Sequence, residues 1–203
     1  MLYNQTGKQL YQDYARNLPI IDYHCHISPK MIAENYQFRD AYELFLGGDH
    51  YKWRQMRTNG IDEYYITGAA DPYEKWEKFA ETVPLLIGNP LYHWTHMELK
   101  RYFGIDEVLS PATAKDIWDR VNAMLATDAY RVQGLIQMSN VEVICTTDDP
   151  YDTLEYHRQL KDFEVKVVPA FRPDLRNLKV ISHNGWISSI KMVVVFLTMQ
   201  WMK

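Results

Sequence analysis

Three short apolar runs, each turning polar at its C-terminal end, constrain the fold of this chain more than any other feature. They are "IIDYHCH" at 20–26, "VEVICTTDD" at 141–149 and "VKVVPAFRPD" at 165–174. Short β-branched runs bounded by proline and other turn residues read as buried strands. Between the second and third, Asp149-Pro150 has the form of a helix cap, which gives strand, helix, strand. That order closes as a right-handed parallel unit. The polar residues that end the runs are His24 and His26, then Thr146, Thr147, Asp148 and Asp149, then Arg172 and Asp174. Parallel α/β folds carry their chemistry at this end of the sheet. The expected class is therefore α/β.

The rest of the chain is helical in pattern. Thr6 with Gln9 reads as a capping box, followed by Leu10, Tyr11, Tyr14, Ala15 and Leu18 at helical spacing until Pro19. From about 28 to 140 strand signals are nearly absent, and a capping residue followed by proline recurs at Asp71-Pro72, Asn89-Pro90 and Ser110-Pro111. Trp76, Phe79, Ala80 and Val83 form one apolar stripe, and Ala114, Ile117, Trp118, Val121 and Leu125 another. "GGDHYKWR" at 47–54 and "NGIDEYYITG" at 59–68 read as loops. The expectation is a large helical insertion after the first strand.

Composition narrows the function classes. The chain has 203 residues and a net charge of −4, without a Lys/Arg cluster, so no nucleic-acid or anionic-membrane partner is expected and a small molecule is. Its 2 cysteines, Cys25 and Cys145, lie inside strand-like runs, which suits reduced buried thiols. The N-terminal segment carries acids and helical periodicity in place of a signal peptide, so a cytoplasmic location is expected. All 26 acidic residues precede Leu175; the tail 175–203 has none. Its apolar stretch "MVVVFLTMQWM" is too short to span a bilayer. The tail changes character, and 1–174 is the segment that reads as one fold.

Residues i and i+2 of a strand share a face, so His24 and His26 would project together while Cys25 points away. This is the geometry of two ligands on one metal ion; two hydrogen-bonded structural histidines are the plainer alternative. Tyr51, beside His50, Lys52 and Arg54, could donate a phenolic proton or simply decorate a solvated loop. Arg172 at a strand end suits a carboxylate, as a substrate anchor or in an ion pair with Asp174 or Asp149. His93 and His96 have a ligand-like spacing but sit among Trp94 and Leu99, where packing is the simpler role.

Taken together, "PIIDYHCHISPK", "LGGDHYKWR", "ETVPLLIGNPLYHWTHMELKRYFGI", "NVEVICTTDDP" and "FRPD" resemble the uronate (glucuronate) isomerase family of the amidohydrolase superfamily, over about residues 8–174. The resemblance implies a (β/α)8 TIM barrel of the metal-dependent hydrolase type, here truncated, with the helical insertion at about 28–140. It implies interconversion of D-glucuronate with D-fructuronate, and of D-galacturonate with D-tagaturonate. His24 and His26 match the family's metal ligands, usually discussed with zinc, Tyr51 its active-site tyrosine and Arg172 its substrate-binding arginine. The family continues beyond "FRPD" with a further histidine and a late aspartate, so the divalent metal site is incomplete in this chain. Residues 175–203 read as a divergent tail of frameshifted or truncated origin. The expected partner is a hexuronate, with self-association into a homo-oligomer left open. Two other readings stand beside the isomerase: a metal-dependent hydrolase, since the superfamily uses the same histidine pair to activate water, and a non-catalytic truncated product.

Overall fold

The structure is a computed structural model that describes residues 3–149 and 152–171; Arg172, Asp174 and the tail lie outside the described residues. In chain order the elements are α1 (Gln5–Leu10), β1 (Ile20–Cys25), α2 (Pro29–Ala33), α3 (Ala41–Leu46), α4 (His50–Thr58), α5 (Pro72–Thr82), α6 (Pro90–Phe103), α7 (Ala114–Leu125), α8 (Val132–Met138), β2 (Val141–Asp148), α9 (Glu155–Gln159) and β3 (Lys166–Phe171). They form two compact units. One draws on both ends of the chain, up to Glu34 and from Ser139; the other is Asn35–Met138.

The first, the strand unit, is α/β with a parallel three-stranded sheet in the order β1-β2-β3. Central β2 is buried at Val143, Ile144, Thr146 and Asp148. Pro169 sits on β3, which among the described residues is an edge strand, a place where proline is tolerated. α1 begins earlier than a Thr6 cap predicts. Asn4 is the cap, its side chain accepting from Gly7 N–H at 2.7 Å, and this places Thr6 inside the helix. The last turn widens to a π-helix over Tyr11–Ala15, with Arg16 N–H donating to Tyr11 O at 2.8 Å. The helix between β2 and β3 also starts later than Asp149-Pro150 suggests, at Glu155. Asp149 instead closes a turn, its N–H donating to Asp152 Oδ2 at 3.0 Å and its carbonyl accepting from Asp152 N–H at 2.9 Å.

The second unit is helical, and its sequence stripes converge on one core. Trp76, Phe79 and Val83 of and after α5 meet Leu99 and Phe103 of α6 and Ile117, Val121 and Leu125 of α7. The indole of Trp76 is satisfied inside this core by Ala114 O at 3.0 Å. Asp71 and Glu74 make the expected capping box at α5, and Asn89 caps α6 by accepting from Leu91 N–H. α6 stops at Gly104 in the left-handed region, where Ile105 N–H reaches back to Leu99 O and Gly104 N–H to Lys100 O.

Two expectations fail here. α7 begins at Ala114, three residues past Pro111, because Thr113 Oγ1 first holds a turn, accepting from Ser110 N–H and donating to Val108 O. Residues 50–54 are helix instead of loop, because Asp49 caps α4 by accepting from Tyr51 N–H and Lys52 N–H, both at 3.0 Å. The ends of the unit are tied together by Val132 N–H on Tyr36 O at 3.0 Å and Gln133 N–H on the Asn35 side chain at 3.1 Å.

Candidate metal and substrate site

His24 is the penultimate residue of β1, which ends at Cys25, and His26 follows directly. Cys25 is buried while both histidines are exposed, so the alternation expected of an extended chain is met. Their Nε2 atoms are 3.0 Å apart, with the rings edge to face at 4.8 Å. Two nitrogens on one zinc at about 2.0–2.1 Å lie roughly 2.9–3.4 Å apart for ordinary coordination angles. The donor set and spacing therefore fit two neighbouring ligands of one cation. The same contact can be a hydrogen bond between a donor and an acceptor imidazole. Among the described residues no group of three His, Cys, Asp or Glu could hold a metal, so the pair is at most part of a shell.

Cys25 lies level with Thr146 of β2, and residues at one level of a parallel ladder face the same way. Cys25, Thr146 and Asp148 thus share the buried face, opposite the histidines. Burial pushes the Cys25 thiol up to about 11, so it stays protonated and is a poor metal ligand.

On that buried face lies a group the sequence pattern does not reveal. Thr146 Oγ1 is 2.7 Å from Asp148 Oδ2 and 2.8 Å from His157 Nε2. One assignment satisfies both contacts: His157 Nε2–H donates to the hydroxyl, which donates to the carboxylate. His157 Nδ1 is then a bare lone pair, and it has no partner among the described residues. Burial raises the Asp148 carboxyl and lowers the His157 imidazole, both toward their neutral forms. "EYHRQ" has no apolar periodicity, so only the fold could bring His157 to Thr146.

Tyr51 belongs to the helical unit. It is 59% exposed in the first turn of α4, with the His50 ring at 4.4 Å and the Arg54 guanidinium 5.7 Å above its own. Its neighbour Lys52 is buried. His96 is structural: Leu109 N–H donates to its Nε2 at 3.0 Å, and Nδ1 is 2.7 Å from Tyr92 O. Arg172, the residue after β3, lies outside the described residues.

Comparison with known proteins adds the family. The model of the glucuronate isomerase family matches residues 1–200, which takes in most of the acid-free tail. The uronate isomerase of Caldicellulosiruptor saccharolyticus is 60% identical over 177 residues, covering 86% of this chain and 38% of that protein. That of Caldanaerobacter subterraneus is 51% identical over 195 residues, covering 94% and 42%. Among solved structures, the uronate isomerase of Thermotoga maritima matches with a TM-score of 0.82 at 38% identity, over 94% of this chain and 42% of that one. Glucuronate isomerase of Caulobacter crescentus matches with a TM-score of 0.77 at 33% identity, over 85% and 39%. The chain spans about two fifths of the length of the curated relatives it matches. On a match that runs through nearly all of its residues, the chain belongs to the glucuronate isomerase family.

Proposed function

We propose that this chain carries the first part of a hexuronate isomerase site, built on a (β/α)8 barrel of which β1, β2 and β3 are the opening strands. The substrates are D-glucuronate and D-fructuronate, and also D-galacturonate and D-tagaturonate. The observation that carries the reading is the His24–His26 pair, with Nε2 atoms 3.0 Å apart at the C-terminal end of a parallel sheet. In this role the two imidazoles hold a divalent cation, zinc by the preference of nitrogen donors. When bound, the cation orients and polarises sugar oxygens.

Aldose-ketose isomerisation moves a proton between C2 and C1 through an enediol. It needs a base, a donor at the oxygens and an anchor for the carboxylate. Tyr51 is the donor in this reading, supported by its exposed phenol at a capped helix start. Arg172 is the carboxylate anchor. The base is supplied by residues outside those named here, and the 203-residue chain by itself is expected to show no appreciable turnover.

Two measurements test this. Cobalt(II) titrated into the chain should give d–d bands that weaken when His24 and His26 are replaced by alanine; unchanged bands would remove the histidines from the site. Residues 1–174, which keep Arg172, joined at the equivalent position to the remainder of the Caldicellulosiruptor saccharolyticus relative should interconvert glucuronate and fructuronate. A folded, metal-loaded chimera without turnover would refute the reading.

A further inference from the structure

Lys52 is 5% exposed, an unusual place for an ammonium, and its surroundings are built for it. Nζ donates to Phe45 O at the end of α3 at 3.1 Å. It lies 3.4 Å from Glu98 Oε2 on α6 and 3.5 Å from Asp49 Oδ2. The rings of Phe45 and Phe79 face it at 5.2 and 5.9 Å. Asp49 is the link to the candidate site. Its Oδ1 accepts from the backbone N–H of Tyr51 and of Lys52, while its Oδ2 faces the Lys52 ammonium. One carboxylate therefore holds the backbone of Tyr51 and is itself held by a buried cation. Trp53 adds a second tie between the same helices, Nε1 donating to Leu46 O at 2.7 Å.

We propose that Lys52 is a positioning residue for Tyr51: through the Asp49 carboxylate it fixes the first turn of α4, and with it the direction in which the phenol is presented. The proposal rests on the role given above to Tyr51. An apolar side chain would fill the same space, but it could not hold the free oxygen of Asp49. A buried cation is costly unless its partners are well placed, and losing the ammonium leaves them without that hold. Glu98 and Asp49 are partly exposed, so water can take the place of the ammonium and the unit should still fold without it.

The test is Lys52→Met, close in length and apolar, beside Lys52→Arg. In the 203-residue chain, amide hydrogen exchange at Tyr51 and Lys52 should quicken roughly tenfold in Lys52→Met, the scale of a lost helix cap, while amides of α5 and α7 keep their rates. In the chimera described above, Lys52→Met should lower kcat about 10- to 100-fold with KM nearly unchanged, as a misplaced catalytic group does. Lys52→Arg, whose wider fork cannot occupy the same pocket, should rescue neither reading. Exchange that quickens evenly through the helical unit would show a purely structural lysine and overturn the proposal. So would unchanged exchange at Tyr51, or unchanged kcat. A wild-type chimera without turnover would count against the proposed function alone, and the exchange pattern would then decide the role of Lys52.

Discussion

In the helical unit Trp76, Phe79, Leu99 and Ile117 are fully enclosed, and the ends of α4, α5 and α6 are capped by their own side chains. In the strand unit Leu10, Tyr14, Leu18, Ile21 and Tyr23 stand exposed, and α1 buries none of its residues. Yet the strand unit holds the histidine pair and the buried Thr146, Asp148 and His157. One region encloses its core; the other carries the histidine pair on a frame whose apolar surface the described residues leave open. Stability should accordingly be concentrated in the helical unit, with polar contacts weighing more in the strand unit than its outer apolar residues do.

The largest effect expected is at Trp76. Its replacement by alanine should cost about 3–5 kcal/mol through the cavity left between α5 and α7, read as an earlier urea midpoint for the helical unit. A loss as small as that at an exposed strand-unit residue would break the comparison. Thr146→Val keeps the shape but strands His157 Nε2 and Asp148 Oδ2, and should cost about 1–3 kcal/mol in the strand unit by the same measurement. A cost near zero would mean that the group is reorganised or hydrated.

Cys25 gives a pH test. Its folded-state value of about 11 lies above its ordinary 9.0, so the folded form keeps a proton that the unfolded chain gives up. Stability should therefore be constant below pH ~9 and fall between about pH 9 and 11, by at most ~1.4 kcal/mol per pH unit. Cys25→Ala should flatten that part of an alkaline stability curve; an unchanged curve would remove the thiol as its cause. The smallest effect is at Tyr14, where replacement by serine should change the stability read from the urea transition by less than about 0.5 kcal/mol. A larger loss would show that the open face is covered in solution.

Where a local signal and the structure rest on the same contacts, the sequence could be read. Asp71 with Glu74, and Asn89 before Pro90, cap helices through their own neighbours, so the pattern alone locates α5 and α6. The parallel direction of the strands was legible for the same reason, from β-branched runs and their polar ends. Ser110-Pro111 looked the same but competes with Thr113, whose hydroxyl captures the turn first. Asp49 was hidden by Gly47 and Gly48, which marked a loop just where a cap begins. The histidine pair was visible because alternation along a strand is a short-range rule. His157 was not, since it meets Thr146 only when α9 folds back on β2, and nothing within "EYHRQ" encodes that.

The hydrogen bonds that tie Asn35 and Tyr36 to Val132 and Gln133 bear on how fast β1 can find β2. Without them, closing the sheet means bringing together the ends of a loop of about 115 residues, with the entropy cost growing as the logarithm of its length. If the helical unit folds first, its joined ends leave only about 16 free residues between the strands, and the closure cost drops by about 2 kcal/mol. Contacts far apart in sequence become nearly local, the condition under which sheets form quickly. Weakening the tie with Asn35→Ala, which removes its side-chain bond and leaves the Val132–Tyr36 backbone bond, should therefore slow refolding of the strand unit while its rate of unfolding stays nearly the same.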